Sequence, residues 1–364
     1  MRILLVTDAW HPQVSGVVRT WTIMQKLLVS WGHELVVISP QGARTVRAPS
    51  EKGLRLAIDP ASHLRRQLGD FVPDAMHIAT EGPLGVAARS LAMKRGWRYT
   101  TSFHTVFPEY LRMRMGIPAG WTWRYMRWFH KHSQRVLVPT HAMRTLLASH
   151  GLCNMQVWAR GVDARAFAPD DGMALAGLPR PIHLSVGRLA REKNLDAFLS
   201  LDLPGSKVVV GSGPDEARLR RRHPDAVFLG MVPHDRLAPL YSAADVFVFP
   251  SLTDTFGLVM LEAMACGTPV AALPGEAPQA VVEEGVTGCL DADLARACHA
   301  ALSLDRVTVR ERTLGRTWET IALALLGALT PLRAAQAQAL PQEAGAGIQC
   351  GLPEERCDGS RVVR

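Results

Sequence analysis

The 364-residue chain has no apolar run approaching the ~20 residues that a membrane-spanning helix needs. It offers no secretory leader either: residues 1–7 form a short apolar stretch that meets Asp8, His11 and Pro12 at once, which predicts a first strand. Cysteine is scarce. The six, at positions 153, 266, 289, 298, 350 and 357, include no CxxC pair. This spacing excludes a zinc ribbon and predicts reduced thiols in a cytoplasmic protein. A dinucleotide fingerprint is also missing, because Gly211-Ser212-Gly213-Pro214-Asp215-Glu216 carries Glu216 where a third glycine belongs, which argues against a nicotinamide dehydrogenase. Asp291-Ala292-Asp293 matches a metal-binding D-x-D formally but has the chemistry of a helix N-cap. No metal and no cofactor are therefore expected. The chain contains no nucleic-acid-binding module, so its +8 charge is not assigned to DNA or RNA.

What is present describes a globular protein of 48% hydrophobic and 20% charged residues, long enough for two cores. The charge is unevenly spread: residues 1–170 hold 22 Lys and Arg against 10 Asp and Glu, whereas 171–364 hold 19 against 23. A basic first half suits an anionic membrane surface or an anionic acceptor. Short apolar runs alternate with helical periodicity twice over, which predicts an α/β protein with two units, 1–170 and 171–332. The Pro, Gly and Asp content of 166–180 marks the linker. The stretch 40–70 reads as basic and irregular, and 333–364, rich in Ala, Gln and Gly, as a tail without fixed structure.

The stretch 251–267 is the centre of the chain's chemistry. Val246-Phe247-Val248-Phe249 predicts a buried strand, and Gly257 opens a run of helix formers from Leu258 to Ala265. Strand, polar turn and helix start present unpaired N–H groups at a sheet edge, a setting for an anion such as a diphosphate. Asp254 lies in the turn, and Glu262 leans back toward the same mouth because helical side chains tilt to the N-terminus. Arg188 and Lys193 flank another loop of the same half and can hold a diphosphate. In the first half, Gly16 follows the first strand, and His104 follows another at the end where open α/β sheets bind ligands.

Aromatics make up only 6% of the chain, yet Trp121, Trp123, Tyr125, Trp128 and Phe129 crowd together with Arg124, Arg127 and Lys131. Trp121, Tyr125, Trp128 and Phe129 share a helical face by their spacing of three and four. Amphipathic rings beside long cations suit a membrane–water interface.

Asp254-x7-Glu262 within T-D-T-F-G-L-V-M-L-E-A-M-A-C-G-T-P-V resembles the E-x7-E signature of the retaining family-four glycosyltransferases of the GT-B fold. The Gly16 loop, Ser102-Phe103-His104-Thr105, Arg160-Gly161-Val162-Asp163, Val186-Gly187-Arg188-Leu189 and Glu192-Lys193-Asn194 extend the resemblance over about residues 2–330. It implies two Rossmann-like domains facing across a cleft, the second binding a UDP- or GDP-hexose and the first an acceptor. By resemblance, Arg188 and Lys193 hold the diphosphate and Glu262 the ribose. Asp254 and the backbone of Phe256, Gly257, Leu258 and Val259 hold sugar and phosphates. Gly16 approaches the diphosphate, and His104 lies against the donor sugar. Asp254 stands where the family more often has the longer Glu. The start V-T-D-A-W-H-P-Q-V-S-G-V-V-R-T is similar to bacterial enzymes that glycosylate diacylglycerol or phosphatidylinositol. That similarity implies a lipid acceptor at the inner face of the cytoplasmic membrane, met by Arg19, Trp121, Trp123, Arg124, Arg127 and Trp128. Transfer to a soluble or polysaccharide acceptor, and epimerisation of a nucleotide sugar, are the alternatives.

Overall fold

The computed structural model describes residues 1–13, 15–48, 54–104, 106, 111 and 116–333. The expected tail at 334–364 lies outside the described residues, as do Thr105 and most of 107–115.

Two six-stranded parallel sheets dominate. The first is built from β1 (Arg2–Val6), β2 (Glu34–Ile38), β5 (Ala75–Ile78), β6 (Thr100–Ser102), β7 (Arg135–Val138) and β8 (Met155–Val157), in the order β2-β1-β5-β6-β7-β8. The second contains β9 (Ile182–Val186), β10 (Ser206–Val210), β11 (Val227–Gly230), β12 (Val246–Phe249), β13 (Val270–Ala272) and β14 (Gly288–Leu290), in the order β11-β10-β9-β12-β13-β14. Ile3, Leu4, Leu5 and Val6 are all buried, as are Val246 through Phe249, because helices cover both faces of a parallel sheet. Strand order reverses between β1 and β5 in one sheet and between β9 and β12 in the other. These reversal points open a crevice at the strands' carboxyl ends, where ligands bind in such sheets.

Helices fill the crossovers. Ser15 accepts the Val18 N–H and starts α1 (Gly16–Ser30), whose Val18, Trp21, Met24 and Leu28 form its buried stripe. The expectation that 40–70 is irregular fails. β3 (Thr45–Arg47) and β4 (Arg55–Ala57) pair antiparallel, and α2 (Pro60–Leu68) follows with Asp59 as its cap. Short strands of mixed polarity and a nine-residue helix give little periodicity, so Pro and Arg content alone misled. Then come α3 (Pro83–Arg95), α4 (Ala119–His130) and α5 (His141–Ser149). The second unit has α6 (Leu195–Leu199), α7 (Glu216–Arg222), α8 (Ala238–Ala243), α9 (Leu258–Ala265), α10 (Glu276–Val281), α11 (Leu294–Ala301) and α12 (Arg306–Leu314). Asp293 caps α11 by accepting from the Ala295 and Arg296 N–H groups. Gly275 is the N-cap of α10.

The last helix crosses back. α13 (Trp318–Ala328) buries Trp318, Ile321, Ala322, Leu325 and Ala328 with Trp21, Met24 and Leu28 of α1. Arg135 donates to the carbonyls of Gly327 and Ala328, and Asp74 and Leu332 join through their backbones. Each large apolar side chain so buried stabilises the junction by roughly 1.5–3 kcal/mol. Residues 318–332, expected within the second unit, therefore belong by packing to the first. Chain crossings at 161–162 and 316–317 lie side by side: a Cβ on Gly161 would meet Thr317 and Trp318 backbone at 2.5–2.7 Å, so only glycine fits there.

Candidate active site

The β12–α9 turn sets the floor of the crevice. Gly257 has φ +77°, and a Cβ there would come within 2.6 Å of Met260 and 3.0 Å of Phe249. Left-handed backbone and lack of space both demand glycine. Phe256 is buried in the second core and anchors the turn, while Gly257 caps α9 so that Leu258 and Val259 begin the helix facing the crevice. Arg188, Lys193, Gly187, Phe249, Pro250 and Ser251 line an adjoining recess at the ends of β9 and β12.

Both expected acids are engaged. Asp254 accepts from Lys193 Nζ through both oxygens, at 2.7 and 2.6 Å. The short acid is thus met by a long cation, and both are about a quarter exposed. Glu262 is buried at 1% exposure in α9. Its Oε1 accepts from Arg19 and faces His234 Nε2 at 3.4 Å; its Oε2 accepts from Tyr241 Oη at 3.0 Å. Burial would raise its pKa, but the Arg19 charge and the bonds from His234 and Tyr241 outweigh burial and hold the carboxyl below its usual range. Burial, then the Glu262 charge, pushes the Tyr241 hydroxyl far up, so it donates as a neutral phenol.

The first domain closes over this floor. Arg19 belongs to α1, and its guanidinium also lies 5.8 Å from the Phe167 ring. A Cβ on Gly16 would sit 3.8 Å from Leu258, which places the Gly16 backbone against the start of α9. Thr255 donates to the His104 carbonyl at 2.8 Å, a second polar tie across the crevice. His104 follows β6 at the predicted sheet end. Its Nδ1 lies 2.9 Å from Arg160, and its Nε2 lies 2.9 Å from Ser102 Oγ and 3.1 Å from Trp21 Nε1. Arg160 and the Trp21 indole can only donate, so a donor faces each ring nitrogen, a setting that disfavours a doubly protonated ring. Burial, then Arg160 and His77, hold the His104 pKa well below the ordinary value, so the ring is neutral.

Of the predicted residues, the structure brings Gly16, Arg19, His104, Arg188, Lys193, Asp254, Glu262 and the 256–259 turn to one crevice. Arg19, expected with the acceptor and membrane group, instead pairs with Glu262. The aromatic helix divides. Trp121 is 77% and Trp128 43% exposed, with Arg124 also exposed, and Arg89 lies over the Trp128 ring at 4.3 Å. Trp123 is 5% exposed and stacked on His150 at 3.8 Å, so its expected surface role is corrected. Phe129, counted on the same face as Trp121, is fully buried. A spacing rule finds a face but not its neighbour, and Trp123 packs because His150, which caps α5, stacks on it. Arg127 is exposed and donates to the His150 carbonyl.

His234, Tyr241 and Arg160 were not among the predicted site residues. His234 lies in a 3-10 turn at 234–236 and Tyr241 in α8, and only the fold turns both to Glu262. Among the described residues no three His, Cys, Asp or Glu side chains cluster as a metal site, and no helix is long and apolar enough to cross a membrane.

Comparison with known proteins follows the two sheets. Residues 14–166 match the family described as Glycosyltransferase Family 4, and residues 180–304 match Glycosyl transferases group 1. The chain is similar to a Mycobacterium tuberculosis GDP-mannose-dependent alpha-mannosyltransferase, 32% identical over 90% of this chain and 96% of that one. It is 26% identical to a Streptococcus pneumoniae alpha-monoglucosyldiacylglycerol synthase, over 75% of this chain and 71% of the relative. Among solved structures, Thermosynechococcus elongatus sucrose-phosphate synthase superposes with a TM-score of 0.76 at 22% identity, covering 93% of this chain and 99% of that one.

Proposed function

The chain belongs to the GT-B glycosyltransferases, as a hexosyltransferase, and we propose that it joins a hexose from a nucleoside diphosphate sugar, GDP-mannose first among donors, to a membrane lipid. The observation that carries this is one crevice holding Glu262, the Lys193–Asp254 pair, Arg188 and the start of α9 beneath the first domain's Arg19 and His104 carbonyl. Glu262 receives the ribose hydroxyls. Arg188, Lys193 and the N–H groups of 257–259 receive the diphosphate, whose negative charge grows as the sugar–phosphate bond breaks. Asp254 orients Lys193 and a sugar hydroxyl. The acceptor hydroxyl attacks from the face the diphosphate leaves, and a departing phosphate oxygen takes its proton, so configuration is retained. Neutral His104 fits a role in positioning through its carbonyl and ring edge, not in taking a proton. No metal has a part in this scheme.

GDP-mannose is favoured by the name of the mycobacterial relative, and a lipid acceptor by that of the streptococcal one. The exposed Trp121 and Trp128 beside Arg124, on a domain with a strong excess of cations, support contact with an anionic membrane at the cytoplasmic face. The test is a screen of UDP- and GDP-hexoses with the full-length protein and a bacterial lipid extract. Mass spectrometry should find a lipid heavier by one hexose with GDP-mannose. Absence of a glycosylated lipid with every donor would overturn the proposal.

A further inference from the structure

We propose that Arg19 competes with the nucleotide for Glu262, and so sets how strongly the enzyme depends on the ribose hydroxyls of its donor. This rests on Glu262 being the ribose ligand, as proposed above.

The carboxylate has little capacity left. Oε1 serves Arg19 and faces His234, Oε2 serves Tyr241, and the side chain is only 2% exposed. A ribose must therefore displace one partner. Tyr241 is fully buried in α8 of the same domain and cannot leave without unpacking that core. His234 makes the longest contact; its side chain is 45% exposed, with its ring 5.0 Å from Phe167, and it belongs to the same domain as Glu262. Arg19 alone of the three comes from the facing domain, on α1, and its side chain is 23% exposed. It can swing toward solvent without unpacking a core. Ribose hydroxyls that take the place of its N–H on Oε1 leave Glu262 hydrogen-bonded, so the exchange is between alternatives and the carboxylate is never bare. While Arg19 holds Glu262, the donor site is incomplete, and the apparent affinity falls by the fraction of time it is so held. Arg19 is thus a positioning residue acting against the donor, in contrast to Arg188 and Lys193.

Calorimetric titration of the full-length protein with GDP and with 2′,3′-dideoxy-GDP tests this. R19Q, which keeps a hydrogen-bond donor but no charge, should bind GDP about tenfold tighter, as expected if the pair is formed roughly nine-tenths of the time. It should gain nothing for the dideoxy compound, which cannot replace Arg19. R19K, a milder change should R19Q fail to fold, should show a smaller gain in the same direction. Unchanged or weaker GDP binding by the folded variants, or an equal gain for both nucleotides, would overturn the proposal. E262Q separates the underlying assignment: if it binds GDP as well as the parent, Glu262 is not the ribose ligand, whereas weakened binding by E262Q without tightening by R19Q defeats only the competition.

Discussion

The two sheets share a strand pattern and meet edge to edge, yet their edges are chemically opposite. The second edge is ionic: Lys193 holds Asp254, and Glu262 is kept charged in a buried setting. The first edge is built from buried groups that are satisfied within their own domain. His77 bonds Thr100 and Ser102 in the sheet, His104 bonds Ser102 and Arg160, and Asp8 accepts from Thr80, Leu84 and Gly85 at the start of α3. Burial lowers His77 to about 3 and raises Asp8 to about 6. Charges that meet a substrate must be ready before it arrives, which explains preformed ions on the second edge. The first edge spends its polar groups on holding strands and helix starts, and its outward chemistry sits on α4 instead.

The contrast can be broken from either side. The largest effect should come from Glu262→Ala, which removes the carboxylate and leaves Arg19 and Tyr241 without their acceptor. kcat/KM with the donor found in the screen should fall by about 10³, on the scale of losing two hydrogen bonds from ribose hydroxyls to a buried charge. A fall below tenfold would remove Glu262 from the site.

Trp123→Ala should lower the unfolding free energy by about 3–5 kcal/mol, the usual cost of deleting a buried large aromatic. Trp121→Ala should change it by less than about 0.5 kcal/mol. Denaturant titration of both variants tests the division of α4 into a packed and an exposed face, and equal losses would contradict it.

Lys193→Ala should raise the donor KM roughly 10–100-fold, because it removes a diphosphate cation and frees Asp254. Steady-state kinetics with varied donor reads this, and an unchanged KM would exclude contact with the donor.

His77 offers a pH test. Its folded pKa lies below that of the unfolded chain, which takes up a proton below about 6.5. Stability is therefore lost as pH falls from about 6.5 toward 3, by about 2 kcal/mol at pH 5. His77→Asn should remove that portion of the slope. Parallel curves for parent and variant between pH 7 and 5 would show that His77 is not buried neutral.

The smallest effect is at the surface. Trp121→Ser combined with Trp128→Ser should weaken sedimentation with phosphatidylglycerol vesicles several-fold, since each ring contributes interfacial area. GDP affinity should not change. No loss of vesicle binding would detach α4 from the membrane.

Strands made of consecutive apolar residues, such as 3–6 and 246–249, were legible because burial on both faces leaves no other composition possible. So was the turn at Gly257, where the residue type itself reports the backbone. Spacing alone also placed Glu262 at the mouth, since helical tilt is a local property. The hairpin at 45–57 was not legible, because its stability comes from neighbours instead of periodicity. Neither was the fate of Trp123, which depended on His150 at the end of α5, nor the return of α13 to the first domain, where Trp318 and Ile321 found Trp21 and Met24. By itself the sequence determined two parallel α/β units and the kinds of side chain at their edges. Only the tertiary structure decided that Arg19 meets Glu262 and Lys193 meets Asp254. Ion pairing between residues 243 and 61 positions apart is set by how domains and loops are brought together, and local residue order carries no trace of it.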